Sequence, residues 1–212
     1  MKSKSKWLIF IGLFLIVSAL FLAAYNLRED TQAKKSAAEA AVHLKDMLPM
    51  ADKAEEPMQQ EQILLSTEVE IPDYILNPDM EMPVKTVDGQ DYIGLLTIPD
   101  LGMELPVISK WSYPRLKIAP CRYQGSAYKN DLIIAAHNYN SHFSRLKSLY
   151  IGAAVTFTDM DGNVFNYEVV ELDTLGSTDI EEMANGDWDL TLFTCTPGSR
   201  SRTTVRCELV EK

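Results

Sequence analysis

Cysteine and histidine are both scarce in this 212-residue sequence, with three of each. The cysteines are Cys121, Cys195 and Cys207. Three are too few for a Cys-dense disulfide scaffold, and an odd count leaves at least one thiol free in any intramolecular pairing, so one thiol is a candidate for chemistry while a Cys121–Cys207 pair stays open. No C-x-x-C pair exists, and His137 and His142 are five apart, off the i, i+4 face of a helical zinc site. Basic side chains are too few for nucleic acid: 20 Lys and Arg face 30 Asp and Glu, a net charge of -10, where phosphate backbones require a positive footprint. With 10 glycines, 10 prolines and no internal repeat, the chain is neither collagenous nor low-complexity. Long apolar runs number one.

That run is residues 7–25, WLIFIGLFLIVSALFLAAY, with no charge in 19 residues. At about 1.5 Å per residue it makes a helix roughly 28 Å long, close to the hydrocarbon thickness of a bilayer. It exceeds the usual apolar core of a cleaved signal peptide and lacks a small-x-small cleavage site, so a retained anchor is expected. Lys2, Lys4 and Lys6 precede it, whereas Arg28, Glu29 and Asp30 follow. The positive-inside rule then puts residues 1–6 in the cytoplasm and everything after residue 26 outside, a single-pass membrane protein touching lipid through residues 7–25.

Residues 26–83 read as an extracellular stalk. Helix-forming Ala, Lys and Glu fill 31–48, with Ala37, Ala41, Leu44 and Leu48 on one thin apolar stripe, and Pro49 ends the run. The stripe predicts a largely solvated spacer, followed by a polar, proline-punctuated connector. Residues 84–212 form the globular domain. Apolar runs at 91–99, 103–108, 131–136, 154–158, 164–172, 189–194 and 202–210 predict short strands, with helical turns at 143–149 and 179–184. The pattern is all-β, a small barrel or sandwich. Asp159, Asp161 and Asn163 resemble the opening of a calcium loop, but its sixth position is Val164 and its twelfth Val170, so a hairpin turn is the better reading.

Three residue types at strand ends form the strongest constellation. Cys195 closes the apolar run 190–194 before Pro197 and Gly198, and His137 closes 132–136. Arg202 opens the last strand, where a hairpin can return it to the thiol. A nearby cation raises the thiolate fraction, His can pass a proton to a leaving amine, and Arg can hold an oxyanion. The plain alternative is a buried thiol, a capping His and a surface Arg.

The segment TLFTCTPGSRSRTTVRCELV resembles the sortase signature T-L-x-T-C followed by an Arg on the last strand. Upstream, LIIAAHNYNSHFSRLKSLYIGAAVTF is similar to the sortase His region, IGLLTIPDLGMELPV to the first two strands, and YQGSA to the family's Gly-Thr/Ser-Ala segment. The resemblance runs in order over some 120 residues. It implies a closed β-barrel of about eight strands with short helices, in which Cys195 is the nucleophile, His137 the proton-transfer residue and Arg202 the oxyanion partner. Arg202 is preferred to Arg200 and Arg206 because R-T-T-V-R-C matches the family's R-x-x-V-R-G. Thr194, Ile180, Met183 and His142 are the implied substrate contacts, with 173–189 forming a wall of the groove. The implied reaction is transpeptidation: cleavage of an L-P-x-T-G-like sorting signal on a surface protein through a thioacyl-enzyme, then transfer to an amino group of a cell-wall precursor or a pilin lysine. The chemistry calls for no cofactor, and the sequence leaves a regulatory calcium ion open.

Pilin-type relatives carry an Asp-Pro-aromatic lid. The nearest match here is Asn77, Pro78, Asp79, without an aromatic, so no occluding lid is expected, although the CTPG stretch leans toward those relatives. Two alternatives differ in chemistry: a membrane-anchored cysteine peptidase using water, and a non-enzymatic surface adaptor with an inert Cys195. An L,D-transpeptidase is disfavoured because its S-x-G-C-x-N-like motif is absent around Cys195.

Overall fold

In the computed structural model, residues 2–49 and 71–210 are described. The polar connector expected at 50–62 lies outside them, as do the side chains of the tail 1–6. Nine strands form one sheet: β1 (Lys85–Val87), β2 (Gln90–Ile98), β3 (Met103–Ile108), β4 (Cys121–Gln124), β5 (Leu132–Ala136), β6 (Ala154–Asp159), β7 (Val164–Gly176), β8 (Leu190–Cys195) and β9 (Ser201–Leu209). Their spatial order is β1-β2-β3-β4-β5-β8-β9-β7-β6, and β6 pairs back onto β2. Strands β2 to β9 therefore close an eight-stranded barrel, with β1 as a flap on β2. Closure removes the free edges that an open sheet would expose. Eight strands leave an interior just wide enough for side chains, and Leu96, Ile98, Ile134, Phe157, Tyr167 and Val205 fill it.

The seam depends on a glycine. Gly94 pairs with Asp159 across β2 and β6, beside a register shift between Tyr92 and Gly94. A Cβ at residue 94 would meet the carbonyl of Thr158 and lie 2.6 Å from the Phe157 ring, so no other residue lets these strands approach. At the end of β6 the hairpin turn is organised by Asp159, fully buried. Its Oδ1 accepts from the amides of Asp161 and Asn163, both at 2.9 Å, and its Oδ2 accepts from Tyr128 Oη at 2.6 Å and Asn163 Nδ2 at 2.8 Å. The acidic cluster is thus a turn whose lone pairs are taken by protein donors.

The N-terminal region departs from the solvated-stalk expectation. A single helix, α1 (Lys2–Met47), continues from the apolar run into the 31–48 segment without a break. No Gly or Pro occurs between residues 13 and 47, so nothing in the sequence interrupts its hydrogen-bond ladder. Residues 7–25 make it a candidate membrane span, exposed in the structure. Farther on, Ala33, Ala37, Ala40, Ala41 and Leu44 are buried against the barrel, and Lys45 Nζ meets Glu104 Oε2 of β3 at 2.6 Å. Alanines bury little area each, but their small side chains let the helix backbone approach β3 closely, and the stripe docks where a spacer was expected. Beyond the gap, α2 (Asp73–Leu76) stacks Tyr74 on Tyr128 at 4.7 Å, and Asp79 pairs with Lys129 at 2.8 Å. The 77–79 segment is therefore held at the β4–β5 connection.

Leu44→Ala opens a cavity under the docked helix, with an expected loss of about 2–4 kcal/mol. The full chain in detergent should unfold at lower urea, and amides of 33–47 should exchange faster. Unchanged exchange there would show that the helix is not held by this contact.

Candidate active site

Strand β5 is apolar at every position because both of its faces are covered, and β8 lies parallel beside it. Their register runs from Leu132 opposite Leu190 to Ala136 opposite Thr194. The two strands end together, so the next residues, His137 and Cys195, stand side by side at the sheet rim. Across the other flank of β8, Cys195 pairs directly with Arg202 of antiparallel β9. Neighbouring strands are about 4.8 Å apart, and paired residues point to the same face. The thiol, imidazole and guanidinium therefore emerge from three consecutive strands at one end of the barrel. All three are half-buried.

The β8–β9 turn fixes this pairing. Gly198 and Ser199 adopt left-handed backbone, Ser199 N donates to Thr196 O at 2.8 Å, and Thr196 N donates to Ser201 O at 2.9 Å. Thr194 Oγ1 donates to Ala136 O at 2.9 Å, tying the ends of β8 and β5 together. Thr194 is buried, and its hydroxyl braces the strands instead of facing a substrate.

Cys195 differs from the other two thiols in exposure. Cys121 and Cys207 are fully buried, and burial pushes each thiol up to about 12. All three are free. The half-buried His137 is shifted below the ordinary imidazole value, first by burial and then by the Lys117 cation, while Glu29 works in the opposite direction.

The face that carries Cys195 is bounded on two sides. Phe193, two residues before it, packs edge-on against Tyr123 at 5.4 Å, and Tyr123 contacts Trp111 at 5.5 Å, an aromatic row the sequence reading missed. On the other side lies α4 (Ile180–Ala184), within the expected wall; the first part of that wall, 173–176, is instead the end of β7. Arg206 holds α4 in place. Its Nη1 donates to Met183 O at 2.9 Å and Thr191 Oγ1 at 3.0 Å, and its Nη2 donates to Glu182 O. Arg202 sits four residues earlier on the same face, and its Nη1 donates to the carbonyls of Gly176 and Ser177. The two arginines are thus separated by depth: Arg206 is buried, Arg202 lies at the rim beside the thiol.

The other expected contacts fall differently. Ile180 is 48% exposed and available to a ligand. Met183 is 1% exposed, because α4 turns it inward onto the core, so its side chain does not line the groove. His142 is 0% exposed, with neither ring nitrogen hydrogen-bonded, and burial pushes it down to about 4. Among the described residues, no three His, Cys, Asp or Glu side chains group as metal ligands.

The sequence model described as Sortase domain matches residues 96–210, more than half of the chain. The chain belongs to the sortase family. Solved structures agree on the fold. A Clostridium perfringens sortase D5 transpeptidase is 22% identical over 60% of this chain and 83% of its own, with a TM-score of 0.51. Sortase C1 from Streptococcus agalactiae is 23% identical over 69% and 80%, with a TM-score of 0.53. Listeria monocytogenes sortase A is 20% identical over 57% and 88%, with a TM-score of 0.52. No curated protein matches the sequence.

Two outcomes test this sortase's site. Iodoacetamide should label Cys195 alone in the folded protein and all three cysteines after unfolding, read by peptide mass spectrometry; labelling of Cys121 or Cys207 at a similar rate would contradict their burial. His142 makes the fold acid-sensitive. Its folded-state pKa lies below the unfolded 6.5, so stability present above pH 6.5 is lost as pH falls toward 4, by about 3 kcal/mol. His142→Leu should remove that share of the pH dependence of the urea midpoint, and equal acid sensitivity in the variant would overturn the assignment.

Proposed function

We propose that this sortase is a membrane-anchored cysteine transpeptidase, single-pass through residues 7–25 with its barrel outside the cell. Its donor is a surface protein with an L-P-x-T-G-like signal, and its acceptor is an amino group of a cell-wall precursor or a pilin lysine. The observation that carries the reading is the register that puts Cys195 beside both His137 and Arg202.

In this mechanism the Cys195 thiol passes its proton to His137 as its sulfur attacks the threonyl carbonyl carbon, forming a C–S bond while the carbonyl electrons move onto oxygen. Arg202, with Nε and Nη2 still unengaged among the described residues, stabilises that oxyanion. Collapse breaks the C–N bond, and His137 supplies the proton to the departing amine. The incoming amine then loses a proton to His137 and displaces the sulfur. Ile180 on α4 and the Phe193–Tyr123 side of the face are the apolar surfaces offered to the signal. These steps require no metal or organic cofactor.

Incubation with a library of sorting-signal peptides, with and without an added amine, should give an acyl adduct on Cys195 by mass spectrometry and an amide product only with amine. Cys195→Ala should abolish both, and Arg202→Lys should lower kcat by about 10²-fold. Product release as free acid regardless of amine would favour the peptidase reading. Cleavage retained in Cys195→Ala would defeat the proposal.

A further inference from the structure

Glu29 lies on α1 one turn beyond Tyr25, the last residue of the apolar run. Its Oε1 accepts from Tyr25 Oη at 2.8 Å and Lys117 Nζ at 2.7 Å, and its Oε2 accepts from Tyr139 Oη at 3.1 Å. The adjacent acid repeats the contact. Asp30 Oδ1 accepts from Ser141 N at 3.1 Å and Ser141 Oγ at 2.6 Å. Two consecutive side chains of the helix thus grip, at two points, the connection that leaves β5 through His137.

The grip reaches the imidazole through a ring. Tyr139 packs against His137 with centroids 4.9 Å apart and against His142 at 5.5 Å. The same loop folds on itself, with His142 N donating to Tyr139 O at 3.0 Å and Phe143 N to His137 O at 3.3 Å. Fixing the Tyr139 hydroxyl therefore fixes the surface on which His137 rests. Bonds to an ionised acceptor are shorter and stronger than neutral ones, which suits them to holding a loop that would otherwise move.

We propose that Glu29 is a positioning residue for His137, acting through Tyr139, so that the outer end of the N-terminal helix completes the active site by clamping the loop that carries the imidazole. The proposal rests on the reading that His137 transfers protons. Glu29 also neutralises Lys117. The charged and titratable groups around His137 are then Glu29 and Asp30 of α1, Lys117 after the short helix Tyr113–Leu116, Tyr139 and His142 of its own loop, and Cys195 and Arg202 on the neighbouring strands. Removing the carboxylate charge leaves Lys117 unopposed, which disfavours the imidazolium.

The test uses the full chain in detergent, with two readouts. NMR of the histidine ring should show His137 titrating at lower pH in Glu29→Gln than in the wild type, a shift that depends on no catalytic assumption. In peptide-transfer kinetics, Glu29→Ala should lower kcat about tenfold with KM nearly unchanged, as expected when a reacting group is misplaced but the substrate groove is intact. Tyr139→Phe keeps the ring packing and deletes only the hydroxyl; it should lower kcat by a smaller factor with an unchanged urea midpoint. Unchanged His137 titration in Glu29→Gln, or unchanged kcat in both Glu29→Ala and Tyr139→Phe, overturns the clamp. A titration shift accompanied by full transfer activity in His137→Ala would leave the clamp standing and overturn the catalytic role it rests on.

Discussion

Parallel pairing of β5 with β8 is the constraint on which the site depends. Parallel neighbours cannot be joined by a tight turn, so the chain leaves β5, builds β6 and β7, and returns before β8 begins. That detour places 53 residues between Ala136 and Leu190 and supplies both the strand that closes the barrel on β2 and the segment that carries α4. Five consecutive register pairs, all buried, hold the two strands so that both reach the rim together. A slip of one residue would turn His137 and Cys195 to opposite faces of the sheet. The Thr194 hydroxyl on the Ala136 carbonyl locks the last rung.

The two arginines of β9 show how one repeated residue type serves two purposes. Burial holds the Arg206 guanidinium below its ordinary proton affinity, yet its polar contacts are a hydroxyl and two carbonyls of α4, which replace lost water. Arg202 stays at the rim, where, in the proposed mechanism, its Nε and Nη2, unengaged among the described residues, meet a charge that appears only during reaction. One strand thus anchors α4 and places a guanidinium beside Cys195, four residues apart.

Much of this was legible in the sequence because the signals were local. The apolar runs at 131–136 and 189–194 ended at His137 and Cys195, and the Pro197-Gly198 turn returned Arg202 to the thiol. Strand β7 was read only to residue 172, whereas it runs to Gly176; Asp173 and Thr174 are exposed, and these last residues are strand through pairing with β9. β1 is only three residues long, although Asp88-Gly89 carries the two-residue hairpin signature, and β4 has a single rung of parallel pairing to β3. The docking of α1 joins residues 59 apart in the chain (Lys45 and Glu104) and the grip of Glu29 on Tyr139 residues 110 apart, which no periodicity reveals. Met183 and His142 read as groove residues because the inward turn of a side chain on a short helix or loop is decided by packing.

The unbroken course of α1 has a mechanical consequence. With residues 7–25 in a bilayer, a tilt of about 20° would swing Met47, roughly 33 Å beyond Tyr25, sideways by about 11 Å, but Glu29 by only about 2 Å. In the proposed reading the Cys195–His137 centre is fastened near the pivot of this lever, and the far side of the barrel takes up the swing. Rocking in the lipid would then sweep the outer surface of the domain through a wide arc while the bond being exchanged stays close to one spot above the headgroups.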